Sequence, residues 1–352
     1  MNRKTTFPFL FLLMFFSLQG IAQTRIVVQS GDETQVFGHF PAALAAAQDG
    51  DIIYLPGGAI DIGIAYIEKS LTIYGAGHYP QYTQATGVTM LNGTLYLRQA
   101  DAEVPLENIH LEGFYLSGDF RIGTTTTNQN VNQVTVRRCN INNVYLSRYG
   151  YDEGNAEQIH FIENVIRGSV QGGNAQNVMF TKNIIQGFFY YFNGNALFSN
   201  NIFMHNTTSS VSTSFRYIYN TVFTNNIMLC SQYTCFNNMS ANRFDNNMWR
   251  FPFSVPTGST GDDNIPDQNT DEIFINHTGH SFNYDYNYQL SEGSPGIGTG
   301  TDEFDIGIYG TIRPYKEGAV PRIPRIVTQS IATETNAEGK LQVEVEVEAQ
   351  GE

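Results

Sequence analysis

One short stretch of the chain, residues 145–153, concentrates side chains that could take part in chemistry. A guanidinium can form paired hydrogen bonds with a carboxylate, and a tyrosine ring offers an apolar face with a polar tip. The two carboxylates at the end of the stretch could accept hydrogen bonds from hydroxyl groups or bind a cation. An ordinary surface loop with solvated charges is the alternative. The candidate residues are Tyr145, Arg148, Tyr149, Tyr151, Asp152 and Glu153.

Two further groups follow in the sequence. Arg167 is a second arginine that we expect near the same edge of the fold. The run Phe188-Phe-Tyr-Tyr-Phe192 is predicted to be a strand, and the alternation of a strand must turn some of its rings outward. Tyr190 or Tyr191 would then extend an aromatic strip, although packing of all the rings in the core is an equally good interpretation.

A repeated pattern determines where these residues lie. Between about residues 130 and 250, apolar residues recur at fixed offsets from an asparagine, as in Ile159-His-Phe161-Ile-Glu-Asn164-Val-Ile166. A repeat of roughly twenty residues indicates a solenoid. Low-complexity disorder would not keep these offsets fixed. Cys139 occupies the asparagine position first, followed by Asn164, Asn183, Asn201, Asn226 and Asn247.

Each repeat is predicted to form one coil of three short strands. The apolar residues alternate with a period of two, which is typical of strands. Roughly twenty residues at about 3.3 Å each can close one coil, which stacks on its neighbours at about 4.8 Å. An inward asparagine in every coil can donate to one neighbouring coil and accept from the other. We also expect this asparagine to adopt the left-handed conformation of the bend.

The two ends of the solenoid differ from its repeats. An Ala-rich segment, Phe40-Pro-Ala-Ala-Leu-Ala-Ala-Ala47, predicts a short capping helix with Pro41 in its first turn. The segment Leu341-Gln-Val-Glu-Val-Glu-Val347 alternates strictly, which predicts a strand with one buried side and an acidic outer side. We therefore expect a capped β-helix over residues 23–310, then a connector and β tail over residues 311–352.

The first residues predict export. Arg3 and Lys4 precede an apolar run over residues 7–18, and Gly20-Ile-Ala22 supplies small residues for cleavage. This pattern is typical of a secretory signal peptide over residues 1–22, so we expect a secreted or cell-surface protein without membrane insertion. The net charge is −14, which argues against nucleic acid as a partner.

The three cysteines cannot form a disulfide framework. Cys230 and Cys235 are close enough to close a small loop, but two free thiols are about equally compatible with the sequence. Cys139 is predicted to be buried. Because none of the spacings resembles a zinc site, no metal site is predicted.

Together, these features resemble the right-handed parallel β-helix superfamily of pectate-lyase-like proteins, of the secreted Bacteroidetes type. Besides the repeats, the matching segments are Ala45-Ala-Ala-Gln-Asp-Gly-Asp-Ile-Ile-Tyr-Leu-Pro56, Leu71-Thr-Ile-Tyr-Gly-Ala-Gly77, Ser294-Pro-Gly-Ile-Gly298 and Asp305-Ile-Gly-Ile-Tyr-Gly310. The resemblance implies an all-β, right-handed solenoid with a short N-terminal capping helix and a C-terminal β tail. It also implies a ligand groove on one outer face and its flanking loops.

For activity, the resemblance is less specific. Lyases of the superfamily use an Arg or Lys base, often with Ca²⁺ held by aspartates, and its polygalacturonases use clustered aspartates with Gly-His-Gly and Arg-x-Lys motifs. Residues 120–250 contain none of these hydrolase motifs, so no cofactor is evident, and Ca²⁺ stays an open alternative that no motif supports. Arg148 and Arg167 remain the candidates for a catalytic base.

Three functions are compatible with these observations. We expect first a secreted protein that binds polysaccharide along a groove of the solenoid. The second is a polysaccharide lyase acting on an acidic glycan with an arginine base. The third is a structural surface protein or adhesin whose C-terminal tail contacts a surface partner.

Overall fold

The computed structural model describes residues 25–123, 127, 129–148, 155–205, 213–230 and 235–349. Parallel strands stack coil upon coil in two long sheets of 12 and 15 strands. The second sheet covers two sides of the solenoid, joined where the long strand Thr89–Leu97 pairs with strands of both, so each coil has three sides. This arrangement confirms the predicted all-β parallel β-helix. The predicted signal peptide lies outside the described residues.

Each side of the solenoid is a ladder of parallel strands with in-register pairing, and we number the sides in chain order within a coil. Face 1 contains Ile52–Tyr54, Thr72–Tyr74, Leu106–Glu112, Val131–Arg137, Ala156–Ile162, Val178–Thr181, Ala196–Ser199, Thr221–Thr224, Arg243–Asp245 and Thr260–Asp262. Face 2 contains Tyr115–Leu116, Asn140–Ile141, Val165–Ile166, Ile184–Ile185, Ile202–Phe203, Ile227–Met228 and Met248–Trp249. Face 3 contains Phe120–Ile122, Val144–Tyr145, Val170–Gly173, Phe189–Phe192, Phe215–Tyr219 and Phe236–Ser240. The long strands Gly58–Ile67 and Thr89–Leu97 run along faces 2 and 3 in the first coils.

The N-terminal end is closed as the sequence predicts. Strands Ile26–Ser30 and Glu33–Phe37 form an antiparallel pair whose first strand continues face 1. The helix Phe40–Ala46 follows, with proline in its first turn. Phe40 is fully buried, so the helix covers apolar surface that an open coil would expose to water.

Stacked aromatic rings fill the interior between the faces. Inward phenylalanines of face 1 pile up from coil to coil; the ring centroids of Phe161 and Phe180, for example, are 4.8 Å apart. Phe189 of face 3 packs edge-on against Phe180 at 5.3 Å. Aliphatic residues such as Leu111 and Val136 occupy the same position in the earlier coils, so the apolar core is continuous along the solenoid.

The predicted asparagine ladder is present at the corner between faces 1 and 2. Asn183 accepts a hydrogen bond from the backbone N–H of Asn164 at 2.9 Å and donates to the carbonyl of Phe161 at 2.9 Å. Its amide also donates to Asn201 Oδ1 in the next coil at 3.0 Å. The ladder extends one coil beyond the prediction, because Asn264 binds the N–H of Asn247 at 3.1 Å.

The left-handed residue of this corner is not the ladder asparagine, which corrects the expectation for that position. It is the residue immediately before it, as in Glu163, where φ is 58°. The ladder asparagine can therefore keep ordinary backbone geometry and point its amide inward. We call the left-handed residues the corner column: Arg138, Glu163, Lys182, Asn200, Asn225 and Asn246.

The segment after the last coil folds back along this corner. Arg138 donates to the carbonyl of Val320 at 2.7 Å, Asn200 to that of Gly310 at 3.0 Å, and Asn246 to that of Thr299 at 2.9 Å. The order of the partners is reversed, so residues 299–320 run against the direction of the coils. The corner column therefore anchors the C-terminal segment.

This segment also buries the outside of face 2. Ile184 and Ile227 point away from the solenoid interior and pack in a second apolar cluster with Ile306 and Ile308. Gly307 has a φ of 94°, and a Cβ there would lie 2.6 Å from Ile227 Cδ1, so glycine permits the close approach. The helix Thr270–Ile273, the antiparallel strands Phe274–Asn276 and Asn287–Leu290, and the 3₁₀ turns Pro80–Tyr82 and Glu317–Ala319 complete the layer.

The β tail differs from its prediction. Leu341–Glu348 pairs antiparallel with Arg325–Thr335, forming a hairpin rather than a strand against the solenoid. Val343 and Val345 are 55% and 48% exposed, so the predicted buried side is in fact open. Alternation of side chains indicates a strand, but it does not show what covers either side.

The cysteines are all buried. Cys230 and Cys235 form a disulfide, which answers the question that the sequence left open. Cys139 is a free thiol in the first ladder position, and burial raises its pKa to about 12. Among the described residues, no helix has the length and apolar character needed to cross a membrane.

Candidate functional site

The three faces differ in what they offer to a ligand. Face 2 is covered by the C-terminal segment, as described above. On face 1, one outward column consists of histidine, threonine and aliphatic residues, such as Thr135, His160, Met179 and Leu197, and the other column carries tyrosines only at its start. Face 3 instead carries tyrosines and arginines, and it is therefore the best candidate for a binding surface.

Strand register places these outward residues of face 3 in a single line. Tyr145 pairs with Gln171, which pairs with Tyr190, which in turn pairs with Arg216. The column continues through Arg121 on the N-terminal side. Each step is one coil, or about 4.8 Å. We call the following set the tyrosine–arginine column: Tyr66, Tyr96, Arg121, Tyr145, Gln171, Tyr190, Arg216 and Asn237.

Contacts within the column fix the orientation of its rings. The guanidinium of Arg121 lies over the ring of Tyr145 at 3.8 Å and donates to Asp119 at 2.7 Å. Asn143 holds the other oxygen of Asp119 at 2.9 Å. Because its orientation is already fixed, the Tyr145 ring would lose little conformational entropy when a ligand binds.

The aromatic run of face 3 divides its rings between the core and the surface. Phe189 and Phe192 are fully buried, whereas Tyr190 points outward into the column. Tyr191 has a φ of 58° and stacks on Tyr217 of the next coil at 5.1 Å. Burial raises the pKa of Tyr190 to about 12, so its phenol stays neutral and serves as a hydrogen-bonding group at ordinary pH.

The sequence analysis missed the first part of the column. Tyr66 and Tyr96 lie 5.2 Å apart in the early coils, and Arg98 lies over Tyr66 at 4.1 Å. These coils lack the ladder asparagine, which was the signal used to find the repeats. Their strands do alternate, and aligning Tyr66 with Tyr96 on that basis would have found them.

The loop that the sequence singled out is described only at its start. Tyr145 lies in the column, and Arg148 is exposed just beyond the end of its face 3 strand. The candidates Tyr149, Tyr151, Asp152 and Glu153 lie outside the described residues. Their role as ligand contacts therefore stays a prediction.

Arg167 does not lie beside Arg148. It precedes the face 3 strand of its coil, whereas Arg148 follows the strand of the coil before, so the two lie at opposite ends of that face. Its guanidinium donates to Asn140 at 2.8 Å and to the carbonyl of Leu116 at 2.6 Å, and it stacks over Tyr115 at 4.3 Å. These contacts hold the Arg167 guanidinium against face 2, and its role as a catalytic base stays a prediction.

The described residues contain no cluster of three or more histidine, cysteine, aspartate or glutamate side chains that could hold a metal ion. The chemistry that the tyrosine–arginine column offers is stacking and hydrogen bonding. Half-buried rings present apolar faces, while phenol, amide and guanidinium groups beside them can bond hydroxyl or carboxylate groups.

No protein-family model matches the chain, and no curated protein is significantly similar to it.

Proposed function

We propose that this protein is secreted and binds polysaccharide along the tyrosine–arginine column of face 3. It would do so as a member of the pectate-lyase-like β-helix superfamily that its repeats resemble. The observation that carries the proposal is the outward line formed by Tyr145, Gln171 and Tyr190, one residue per coil.

A linear sugar polymer suits such a surface for two reasons. A pyranose ring has an apolar face that packs on an aromatic ring, and its hydroxyl groups bond amides, phenols and guanidinium groups. The surface also repeats with every coil, so that a chain of repeating units would meet similar groups at successive positions.

Affinity electrophoresis through gels containing single polysaccharides, acidic and neutral, tests the proposal. At least one polysaccharide should retard the protein. Tyr190→Ala should weaken that binding about five-fold, since one aromatic contact is worth about 1 kcal/mol. Tyr54→Ala is the matched control, because Tyr54 stacks on Tyr74 at 6.0 Å on face 1. Absence of retardation in every gel would remove the proposal.

Eliminative cleavage of an acidic polysaccharide is the second candidate, with Arg148 as the base. Arg148 is exposed three residues beyond Tyr145, just past the end of its face 3 strand. An arginine base would take the proton beside a uronate carboxylate. Incubation with polyuronates should then release unsaturated ends that absorb ultraviolet light, and Arg148→Ala should abolish the release. An unchanged rate in that variant would exclude Arg148 as the base.

A further inference from the structure

A basic cleft lies beside the corner column, away from face 3. It has a volume of about 750 Å³ and is bounded by the corner, the C-terminal connector and the base of the β tail. Six of the 19 lysine and arginine residues of the chain line it, against three glutamates. The cations are Arg137, Arg138, Arg313, Lys316, Arg322 and Arg325, and the anions are Glu163, Glu317 and Glu348.

The buried glutamates below the cleft do not balance this charge. The Glu163 carboxylate forms ion pairs with Arg138 Nε at 2.5 Å and with Lys182 Nζ at 3.1 Å. A carboxylate oxygen of Glu112 lies 3.5 Å from Arg138 Nη1. Including Glu112 and Lys182 adds one charge of each sign, so the excess of three positive charges is unchanged. In a protein whose net charge is −14, this is a local reversal of sign.

Several of these cations have unused hydrogen-bonding capacity. Arg137 is only 14% exposed, meets Glu163 at 3.4 Å, and has no partner for its Nε among the described residues. Arg322 donates its backbone N–H to Glu112, but neither its side chain nor that of Lys316 forms a hydrogen bond or ion pair with a described residue. Burial lowers the pKa of Arg137, and the repulsion of Arg138 and Arg322 adds to the shift.

The cleft also has apolar surface that could contact an organic ligand. Tyr82 is 37% exposed at its edge, where Arg325 lies 5.9 Å from the ring centroid. Ile312 is 83% exposed on the connector. The volume lies within the range of small-molecule sites, about 300–1,000 Å³, and a pyranose ring could pack on the tyrosine.

We propose that this cleft binds a pyranose that carries a carboxylate group. Arg137, Lys316 and Arg322 would hold the anionic group, and Tyr82 would contact the ring. The site is separate from the tyrosine–arginine column and does not depend on it. The anionic sugar could be a free acid or the end of a polymer, since both present the same chemistry.

Isothermal titration of the full chain with sodium glucuronate, glucose and sodium sulfate tests the proposal. Glucuronate should bind and glucose should not. Lys316→Gln and Arg322→Gln should each weaken binding about ten-fold or more, because each removes a charge-assisted hydrogen bond. Lys340→Gln is the matched control, since Lys340 is an exposed lysine on the β tail. Tyr190→Ala should leave glucuronate binding unchanged, which separates this proposal from the one for face 3.

Three outcomes would overturn it. Failure of glucuronate to bind would exclude the site. If Lys340→Gln weakened binding as much as Lys316→Gln and Arg322→Gln, the binding would reflect general charge attraction and not a specific site. Sulfate binding as tightly as glucuronate contradicts the assignment to a sugar. Competition between glucuronate and an oligouronate for one site would support recognition of a polymer end, whereas binding of the monosaccharide alone would support a free acid. Unchanged melting temperatures in the two variants would show that they remain folded.

Discussion

Tyr145 and Tyr190 point outward from the same column of face 3, two coils apart, with only Gln171 between them. They are separated by 45 positions in the sequence, and the coil-by-coil register alone aligns them. A ligand long enough to reach both would run parallel to the solenoid axis.

The two rings should contribute independently to polysaccharide binding. Two coils separate them by about 9.6 Å, a distance at which mutational effects usually add. Tyr145→Ala and Tyr190→Ala should each weaken binding about five-fold, and the double variant about 25-fold. Titration with the polysaccharide that retards the protein provides the measurement. A double variant no weaker than either single one would show that one ligand does not span both.

The asparagine ladder should dominate local stability at its corner. Asn183→Ala leaves the N–H of Asn164 and the carbonyl of Phe161 buried without their side-chain partner. Each such group costs about 1–3 kcal/mol, so we expect a loss of about 4 kcal/mol in the free energy of unfolding. Denaturant titration measures it. Exposed Asn193 is the control, and its replacement by alanine should change stability by less than about 0.5 kcal/mol.

Removal of the Glu163 carboxylate should cause a large loss in the free energy of unfolding. Glu163 is almost fully buried and is bound by Arg138, Lys182 and Arg137. Burial favours its neutral form, but the three cations outweigh burial and lower its pKa. Glu163→Ala would leave these cations without their shared partner, at a cost of about 3–5 kcal/mol.

A surface pair provides the comparison for Glu163. Glu338→Gln breaks the exposed contact with Lys340 and should cost no more than about 1 kcal/mol. Equal free energies of unfolding for the two variants would contradict the interpretation of Glu163 as the hub of a buried network.

His78 should make the protein less stable in mild acid. The ring is buried against Tyr79 and Tyr284, and burial lowers its pKa from 6.5 to about 3. Between these pH values, His78 is therefore protonated in the unfolded chain and neutral in the folded chain. Stability from this group is complete above pH 6.5 and falls by about 1.4 kcal/mol per pH unit below it.

Unfolding experiments between pH 6.5 and pH 4 measure this slope, to which His280 also contributes because burial lowers its pKa to about 4. His78→Gln should reduce the slope by about 1.4 kcal/mol per pH unit. If His78→Gln kept the slope of the parent protein, another group would have to account for it.

The solenoid could be predicted because each of its repeats is a short pattern of residue types that is visible in the sequence. The pattern around Asn164 and Asn183 predicted the inward amides and the apolar positions of the core, whereas alternation alone left open which of the tyrosines Tyr190 and Tyr191 points outward. The coverage of face 2 was missed, although a signal existed. Ile184-Ile185 and Ile202-Phe203 are apolar on both sides of a strand, which is typical of strands buried on both faces.

Other features depend on contacts that no local pattern encodes. The return of residues 299–320 along the corner column is a long-range match between side chains such as Asn200 and backbone carbonyls such as that of Gly310. The basic cleft arises from the same return, since it brings Lys316 and Arg322 to Arg137. Neither arrangement follows from charge spacing along the chain.

A crystal structure with a bound oligosaccharide, cut from the polysaccharide that retards the protein, tests the central claim most directly. The account predicts sugar density along face 3, with rings packed on Tyr145 and Tyr190 and hydroxyl groups bonded to Gln171. Density on face 1 with face 3 empty would contradict it.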